Sequence, residues 1–504
     1  MRADRARLIP RVTTAALLGA VVLLGPSCGA DDSAPPAEPA LGGTELAIEL
    51  PDPPVFPYER VIFVTIDTLR ADHLASYGYP RPTSPFLDQL AEDSLVFTRC
   101  MSASSHTAPS HASMFTGLVP GMHGLLTNGE RLGEKIPTLA GALRAAGFET
   151  AAFTSVSFLE GVATGFGKVR AQTSAARTIS SAALTWVKTK RQGDRFLVWM
   201  HFYDPHRWKK PEKAPPPYLG AMSERDDDAA FYSKIARLHG LPDPPPGEPF
   251  PELAWSSGDR GGERIHPRSR AEVLGFIDSY DAEIAYADAE IRRFAEGLEA
   301  LDLPGSTLWI VTADHGEGLG SHGYAGHGWQ IYNEQLHVPL LFHATDGSIP
   351  PGRVDGLVST VDILPTFVDL LGGRLRGDLY RFGGISLASL LGSEAAREDE
   401  SFPPPDRQVF SQRRPMRKSG ADGVFALQTP DAKYILRMSG DDEFYRLSTD
   451  PREAVNAVAD GAGEAAALHA AIEEWLRAFG ALGRTAAGGD ETWLEELRKL
   501  GYAR

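Results

Sequence analysis

The 504-residue chain contains very little cysteine, with only Cys28 and Cys100. Two cysteines allow at most one internal disulfide, so the fold cannot depend on a disulfide framework and its core must come from the 42% of hydrophobic residues. Basic residues are also scarce: 50 Lys and Arg stand against 66 Asp and Glu, for a net charge of −16. No basic run interleaved with aromatic residues occurs, and we therefore expect no nucleic-acid partner.

Long hydrophobic runs are absent apart from residues 15–24, which are too few to span a membrane comfortably. Arginines precede this run and Ser27-Cys28-Gly29 follows it, a pattern typical of a bacterial secretory signal that ends in a lipobox. We predict a signal peptide over 1–28, export to the bacterial cell envelope, and membrane attachment only through a lipid on Cys28, in the periplasm or at the outer membrane. The alternative is ordinary signal cleavage, which leaves a soluble periplasmic protein.

The order of hydrophobic segments predicts the domain organisation. An Ala-, Pro- and Asp-rich stretch over 29–57 is expected to be a flexible tether. From 58 to 400, apolar strands alternate with helical patterns, which predicts an α/β domain with a mainly parallel, mixed central sheet flanked by helices. Residues 211–268 interrupt it as an insertion that either forms part of a pocket rim or is a surface loop. Residues 401–504 predict a smaller α+β subdomain with an antiparallel sheet.

Two predicted strands end on side chains that bind metals. The apolar run from Val61 to Ile66 ends on Asp67, and residues 308–313 end on Asp314-His315. In open α/β sheets, ligands bind at the carboxyl ends of the strands. Two carboxylates and an imidazole at this edge predict one divalent metal site formed by Asp67, Asp314 and His315.

A third segment, Thr107–Gly117, places a hydroxyl two residues before a proline that can open a helix. A helix that starts near Pro109 would direct its free N–H groups and positive dipole end towards an anionic ester at Thr107. Thr107 is then a candidate nucleophile and, with Asp67, Asp314 and His315, a candidate metal ligand. The alternative is an ordinary helix cap.

These segments resemble the sulfatase family of the alkaline phosphatase superfamily. Thr107–Gly117 is similar to the family signature Cys/Ser-x-Pro-Ser-Arg, and Thr312–Gly316 is similar to its second metal segment. The resemblance implies a metal-dependent hydrolase of sulfate esters with Ca²⁺ as its metal. Further similar segments follow in family order: 201–206, 320–328, 338–341 and 443–453.

The departures from the family pattern bear on the chemistry. Typical sulfatases oxidise a Cys or Ser to formylglycine, but the Cβ methyl of Thr107 prevents formation of an aldehyde, so no formylglycine is expected. Thr107 must then attack directly and form a covalent ester. This favours, as an alternative, a phosphodiesterase, a phosphomonoesterase or a phosphoglycerol-type transferase. Thr68 stands where a second Asp is frequent, and His315 makes Mn²⁺ or Zn²⁺ alternatives to Ca²⁺.

The remaining candidate residues lie on predicted loops around this edge. Histidines there can protonate a leaving alcohol or contact the non-bridging oxygens, or they can be structural hydrogen-bonding groups. Lys209 could be merely solvated, and Asn128, which precedes a glycine, could serve only to form a turn. The predicted catalytic residues are His111, His206 and His327, and the predicted substrate-binding residues are Asn128, His322 and Lys209.

A second metal held by Asp204, His206 and His327 is a further reading of the same residues. The Asp-Pro-His spacing differs from that of the two-metal phosphodiesterases, so one metal is predicted. The expected partner is an anionic ester, namely a sulfated or phosphorylated glycan, lipid or small molecule. A different class of function, a non-catalytic glycan-binding lipoprotein, is distinguished by binding that does not need the metal.

Overall fold

The computed structural model describes residues 45–209, 216–225, 227–256, 264–392, 402–413, 423–438 and 440–486. These residues form sixteen strands and twelve α-helices, numbered here in chain order. An eight-stranded sheet lies at the centre. Its members are β2 (Arg60–Ile66), β3 (Leu95–Met101), β4 (Glu149–Thr154), β5 (Lys168–Ala171), β6 (Phe196–Phe202), β9 (Thr307–Ala313), β10 (His337–Ala344) and β11 (Gly352–Ser359).

The strand order in this sheet is β11-β3-β10-β9-β2-β6-β4-β5. Every neighbouring pair is parallel except the two pairs made by β10, which runs antiparallel to both β3 and β9. All residues of β2, β6 and β9 are buried, as expected of strands covered on both faces. The carboxyl ends of these three strands therefore meet at one edge of the sheet.

Three smaller sheets complete the strands. An antiparallel sheet with the order β13-β14-β15-β16 confirms the C-terminal sheet predicted from the sequence. The others are two-stranded, β1 with β12 and β7 with β8. Their bounds are β1 (Ala47–Glu49), β7 (Trp255–Ser256), β8 (Arg264–Ile265), β12 (Arg374–Arg376), β13 (Val409–Arg413), β14 (Val424–Gln428), β15 (Ala432–Arg437) and β16 (Glu443–Arg446).

Helices cover the central sheet, which confirms the predicted fold class. The longest helix begins after Ser269, whose side chain accepts from the Glu272 backbone N–H as an N-cap. Among the described residues, no helix combines the length and the apolar composition needed to cross a membrane. The helices are α1 (Pro85–Glu92), α2 (Thr107–Thr116), α3 (Pro120–His123), α4 (Leu139–Ala145), α5 (Ala176–Val187), α6 (Tyr218–Ser223), α7 (Asp228–His239), α8 (Arg270–Glu299), α9 (Asn333–Leu336), α10 (Ile363–Leu370), α11 (Ala388–Gly392) and α12 (Ala462–Ala486).

Two expectations about chain organisation need correction. The predicted tether contains β1, which pairs with β12, and Phe56, which is buried against Phe148 and Phe367. Apolar residues in a proline-rich stretch thus join the core. The insertion over 211–268 is more regular than its composition suggests, because it contains α6 and α7. The predicted signal peptide, Cys28 and the end of the predicted C-terminal subdomain over 487–504 lie outside the described residues. Cys100 is a buried free cysteine.

Candidate active site

Three metal-binding side chains meet at the carboxyl edge of the sheet. Strands β2 and β9 are parallel neighbours with Ile66 opposite Ala313, so Asp67 and Asp314 emerge side by side. Ligand atoms of Asp67, Asp314 and His315 all lie within 4.8 Å of one another, and the three residues are fully buried. The structure thus brings together the three residues predicted as metal ligands.

These donors suit a divalent cation. Both carboxylate oxygens of Asp67 and Oδ2 of Asp314 are buried without a hydrogen-bond donor among the described residues. Burial, followed by the neighbouring Asp314 carboxylate, raises the pKa of Asp67 well above its usual value. His315 Nδ1 lies 2.9 Å from the Gly316 carbonyl, to which it donates, so Nε2 carries a free lone pair. A bound cation would compensate the buried carboxylates.

The backbone around the cluster is strained and tightly held. Thr68 adopts φ +59°, which is rare for a β-branched residue. Its backbone N–H donates to Asp314 Oδ1 at 3.1 Å, and its carbonyl accepts from the Tyr280 hydroxyl at 2.6 Å. Ser102 and Ser110 both donate their hydroxyls to the Asp314 carbonyl. These bonds keep the two carboxylates in their close arrangement despite the conformational cost.

Thr107 lies at the start of α2, next to this cluster. Its Oγ1 is 3.4 Å from His315 Nε2. The helix begins at Thr107 itself, with His106 as the N-cap, and not near Pro109 as predicted. The N–H of Ala108 is satisfied by Asn128 Oδ1 at 2.8 Å, so Asn128 caps this helix. A substrate contact by the exposed Asn128 amide nitrogen stays a prediction.

His111 lies under the first turn of α2, where it makes structural contacts, and its predicted catalytic role stays a prediction. It follows Thr107 by one helical turn and is fully buried. Its Nδ1 donates to the Thr107 carbonyl at 2.8 Å, and its Nε2 lies 2.9 Å from the Thr65 hydroxyl. Burial lowers the pKa of His111 to about 3, so it is neutral. Since both nitrogens are engaged, His111 positions the first turn of α2 against β2.

His201 was not among the site residues predicted from the sequence, but the structure places it in the cluster. It lies next to the end of β6, opposite Thr65 on β2, and its Nε2 is 3.3 Å from Asp67 Oδ2. Burial lowers its pKa to about 4. The signal that could have found it is its place at the end of a third parallel strand.

His206 and His327 lie together, as predicted. Their ring centroids are 4.8 Å apart, and the His327 ring is 4.3 Å from the His315 ring. Burial, and then the nearby His327, lowers the pKa of His206 to about 3. The structure adds Glu317, which sequence reasoning missed although it lies three residues after Asp314. Both its carboxylate oxygens lie 3.2 Å from His327 Nδ1.

Glu317 is a buried carboxylate. Burial alone would raise its pKa, but the attraction of His327, Lys209 and His206 prevails and lowers the pKa to about 2. Trp208 Nε1 also donates to it at 3.0 Å. His327 is therefore held with Nδ1 towards Glu317 and Nε2 towards the cluster. Lys209 is exposed, with Nζ 5.4 Å from the centre of the Trp208 ring, and its contact with substrate stays a prediction.

His322 contacts the protein on both sides of its ring, and its predicted contact with substrate stays a prediction. Its Nδ1 lies 2.9 Å from Glu334 Oε1, its Nε2 lies 2.9 Å from the Glu453 carbonyl, and its ring stacks on Tyr332. These contacts, chiefly the hydrogen bond that His322 donates to Glu334, overcome burial and raise the pKa of His322 to about 9. His322 ties the glycine-rich loop to the segment after β16.

Asp204 does not join His206 and His327, so the reading with a second metal there finds no support in the described residues. Its Oδ1 accepts from the Ala176 N–H at the start of α5, at 3.2 Å, and lies 3.6 Å from an Arg207 nitrogen. A second group that could hold a metal, His111, His201 and Asp314, shares Asp314 with the first. The engaged nitrogens of His111 make that group the less available one.

A family model described as Sulfatase matches residues 59–373, more than half of the chain. The chain belongs to the sulfatase family. It is 22% identical over 426 residues to the Δ4,5-hexuronate-2-O-sulfatase of Bacteroides thetaiotaomicron, covering 78% of this chain and 84% of that protein.

Two solved structures show the same fold. The phosphonate monoester hydrolase of Agrobacterium radiobacter superposes with a TM-score of 0.62 at 20% identity, covering 84% of this chain and 96% of that one. A 2-O GAG sulfatase superposes with a TM-score of 0.62 at 19% identity, covering 84% and 92%. The chain is thus an ester hydrolase of the sulfatase family, with a group of Asp and His residues that can hold its metal.

Proposed function

We propose that this chain hydrolyses sulfate esters on an anionic saccharide, with Thr107 as the nucleophile. The observation that carries the proposal is the position of Thr107 Oγ1, 3.4 Å from His315 Nε2, on the first turn of α2 and beside the buried carboxylates of Asp67 and Asp314. The sulfated saccharide is supported by the relatives, one of which is described in complex with D-glucosamine-2-N,6-O-disulfate.

Asp67, Asp314 and His315 would hold the metal. A divalent cation there supplies positive charge that makes a nearby hydroxyl more acidic and draws charge from the ester oxygens. The family resemblance favours Ca²⁺, whereas the imidazole of His315 favours Mn²⁺ or Zn²⁺, and metal reconstitution distinguishes them.

The transfer occurs in two steps. In the first, Thr107 Oγ1 loses its proton to water and forms a bond to sulfur, while the bond from sulfur to the leaving oxygen breaks. His327, oriented by Glu317, gives a proton to that oxygen from Nε2. In the second, water attacks sulfur and the bond from sulfur to Thr107 Oγ1 breaks. His327 takes up one proton of the water, the other passes to Thr107 Oγ1 to restore the hydroxyl, and sulfate is released. The neutral His206 donates an N–H hydrogen bond to a sulfuryl oxygen.

Phosphorus esters are a second candidate substrate class, for two reasons. Thr107 cannot become formylglycine, and phosphonate monoester hydrolases are among the structures similar to this chain. A direct hydroxyl nucleophile serves phosphoryl transfer as well as sulfuryl transfer. The same site residues would act in the same roles.

The test compares turnover of 4-nitrophenyl sulfate, 4-nitrophenyl phosphate and bis(4-nitrophenyl) phosphate. Wild type, Thr107→Ser and Thr107→Ala are each reconstituted with Ca²⁺, Mn²⁺ or Zn²⁺. Sulfate turnover that Ala abolishes and Ser retains supports the proposal. Turnover confined to phosphorus esters selects the second candidate, and equal turnover by wild type and Thr107→Ala contradicts the role of Thr107 in both.

We further propose that the protein is exported and anchored to the cell envelope through a lipid on Cys28. The proposal is supported by the arginines, the apolar run and Ser27-Cys28-Gly29 at the N-terminus. Expression with labelled palmitate should label wild type and not Cys28→Ser. Labelling of both proteins, or of neither, would contradict lipidation at this cysteine.

A further inference from the structure

A cavity of about 840 Å³ lies beside the active site, and none of Asp67, Thr107, Asp314 and His315 lines it. Its volume is within the range of small-molecule sites. Seven parts of the chain line it: the segment after β2, the end of β3, helix α7 of the insertion with the residues after it, the loop at 321–322, the segment 333–337, the turn between β14 and β15, and the segment after β16. None of the roles proposed above for the active-site residues involves this cavity.

The cations of the cavity wall outnumber the carboxylates that remain after ion pairing. Five carboxylates line the cavity, and four of them have a cationic partner: Asp72 pairs with Arg70, Asp243 with Arg270, Glu334 with His322, and Glu453 with Lys433. The fifth, Asp431, forms no ion pair with a described residue. The lining arginines Arg99, Arg237 and Arg452 likewise form no ion pair with any described residue. In a protein of net charge −16, three unpaired guanidinium groups around one cavity indicate a site for an anion.

Two of these arginines are held close together. The Arg452 side chain donates through Nη1 to the backbone carbonyl of Arg237, which links the segment after β16 to α7. This contact holds the Arg452 side chain against the backbone of α7, so both arginines belong to the same wall of the cavity. An anionic ligand at this wall could accept hydrogen bonds from both guanidinium groups.

Polar atoms without partners also line the cavity. Arg99 Nε, a donor, and Gln428 Oε1, an acceptor, are buried and have no hydrogen-bond partner among the described residues. Gln428 is 6% exposed. Buried polar groups are nearly always paired in folded proteins, so these two side chains have unused hydrogen-bonding capacity next to the cavity. A rotation of either side chain towards the cavity would let it meet a ligand that both accepts and donates hydrogen bonds, such as a sugar with anionic groups and hydroxyls.

The cavity opens at the same edge of the sheet as the active site. Met101 and His337 line it, and they lie opposite each other at the carboxyl end of β3 and the start of β10. In the sheet, β10 lies between β3 and β9, and Asp314 directly follows β9. The ends of β3 and β9 are therefore about 10 Å apart. Arg70 connects the two sites, because it lines the cavity and donates to the Glu317 carbonyl at 3.2 Å.

We propose that this cavity binds a second anionic group of the saccharide whose ester is cleaved at the active site, on a sugar unit next to the one that reacts. The inference that the ligand is a saccharide rests on the proposed function, whereas the inference that it is an anion rests on the arginines alone. The insertion then contributes to specificity through Arg237 on α7. A substrate with a single anionic group would not use the cavity.

Binding without turnover tests the proposal. Sucrose octasulfate, neutral sucrose and inorganic sulfate are titrated by calorimetry into Thr107→Ala and into the same protein carrying Arg237→Ala and Arg452→Ala. Both arginines are exposed, so the added changes should not disturb folding. Arg374→Ala, on the exposed strand β12, is the matched control. We expect the double change to weaken octasulfate binding by at least tenfold and the control to leave it unchanged.

Each result has a separate meaning. Octasulfate binding that is unaffected by the double change, absent from Thr107→Ala, or equalled by sucrose would overturn the proposal. So would sulfate binding as tightly as octasulfate, since the cavity would then hold only a free ion. If the arginines govern octasulfate binding while wild type hydrolyses no ester, the cavity stands and the proposed function fails. If wild type hydrolyses sulfate esters and the arginines do not matter, the reverse holds.

Discussion

His239 Nε2 on α7 lies 3.1 Å from His73 Nε2, and only one proton can lie between the two nitrogens. Asp281 accepts from His73 Nδ1 at 2.8 Å, so His73 Nε2 is an acceptor and His239 Nε2 is the donor. The free lone pair of His239 Nδ1 then accepts from Arg70 Nη1 at 3.2 Å. This directed chain of hydrogen bonds joins the insertion to the segment that follows Asp67.

Replacing His239 with Phe should lower the free energy of unfolding at pH 8 by about 1–3 kcal/mol, because Arg70 and His73 each lose a buried partner. Burial, with Arg70 and His73 beside it, lowers the pKa of His239 well below 6.5. Wild type therefore loses stability as pH falls below about 6.5, where the unfolded histidine binds a proton and the folded one does not. The variant lacks this loss, so the difference should shrink at pH 5. Urea denaturation at both pH values measures it, with His266→Phe, an exposed histidine, as the control. A constant difference would contradict the neutral state of His239.

Gly316→Ala should abolish activity. A Cβ at this position would lie 2.1 Å from the Glu334 carbonyl, and Gly316 also supplies the carbonyl that orients His315. Either the loop carrying Glu334 or His315 must move. Gly275→Ala is the matched control, because it lies within α8 with open space around its Cβ position. That change should raise the free energy of unfolding by about 0.5–1 kcal/mol and leave turnover unchanged. Normal activity in Gly316→Ala would show that the close approach is not needed.

Glu317→Gln should reduce kcat by roughly 10²-fold, through loss of the group that orients His327, while KM changes little. The amide still fills the space and can accept from Trp208, so the fold should persist. Steady-state kinetics on the best 4-nitrophenyl ester give the split between kcat and KM. Glu160→Gln, on an exposed glutamate remote from His327, should behave as wild type. An unchanged kcat would remove His327 from the role of proton donor.

His322→Gln should destabilise the protein at neutral pH by about 2 kcal/mol. The folded pKa of His322 is raised to about 9, so its ion pair with Glu334 contributes fully below pH 6.5 and is lost as pH rises from 6.5 through 9. Chemical denaturation at pH 6.5 and pH 9.5 should show a large and a small difference from wild type, respectively. At pH 6.5, kcat should be unchanged, in keeping with a structural histidine. A selective rise in KM with unchanged stability would instead restore the predicted substrate contact.

Glu283→Gln should stabilise the protein at pH 8. Neither carboxylate oxygen of Glu283 has a partner among the described residues, and burial, with Asp204 nearby, raises its pKa to about 8. A raised carboxyl pKa lowers stability as pH climbs from 4.5 towards 8, because the unfolded carboxyl ionises more readily. Glutamine does not ionise, so the free energy of unfolding should rise by about 2 kcal/mol at pH 8 and change little at pH 4.5. Denaturation curves at the two values decide, and a loss of stability at pH 8 would reveal a partner for the charged form.

The three predicted metal ligands could be foreseen from the sequence. Each prediction needed only the position of a residue directly after an apolar strand and the rule that parallel neighbouring strands end at the same edge of a sheet. Asp67, Asp314 and His315 directly follow apolar strands, and parallel neighbours in a sheet place their carboxyl ends together. Thr107 followed from a helix-start pattern. The start of the helix was displaced by two residues, since Pro109 occupies its first turn and not its first position.

The histidines could not be assigned from the sequence because their partners are distant along the chain. His322 is fixed by Glu334 and by the Glu453 carbonyl, 12 and 131 residues away. His111 faces inward to Thr65, 46 residues earlier. In contrast, Glu317 was within reach of sequence reasoning, since it follows the metal segment on the same loop. The cavity beside the active site could be found only from the fold, because seven separate segments of the chain line it.

Strand β1 and the residues after it determine where the chain enters the domain. Phe56 packs against Phe148, just before β4, and its carbonyl accepts from Arg195, just before β6. The chain therefore enters the domain at the amino edge of the sheet, opposite the edge that carries Asp67 and Thr107. A large saccharide can therefore reach Asp67 and Thr107 without displacing the first described segment of the chain, residues 45–58.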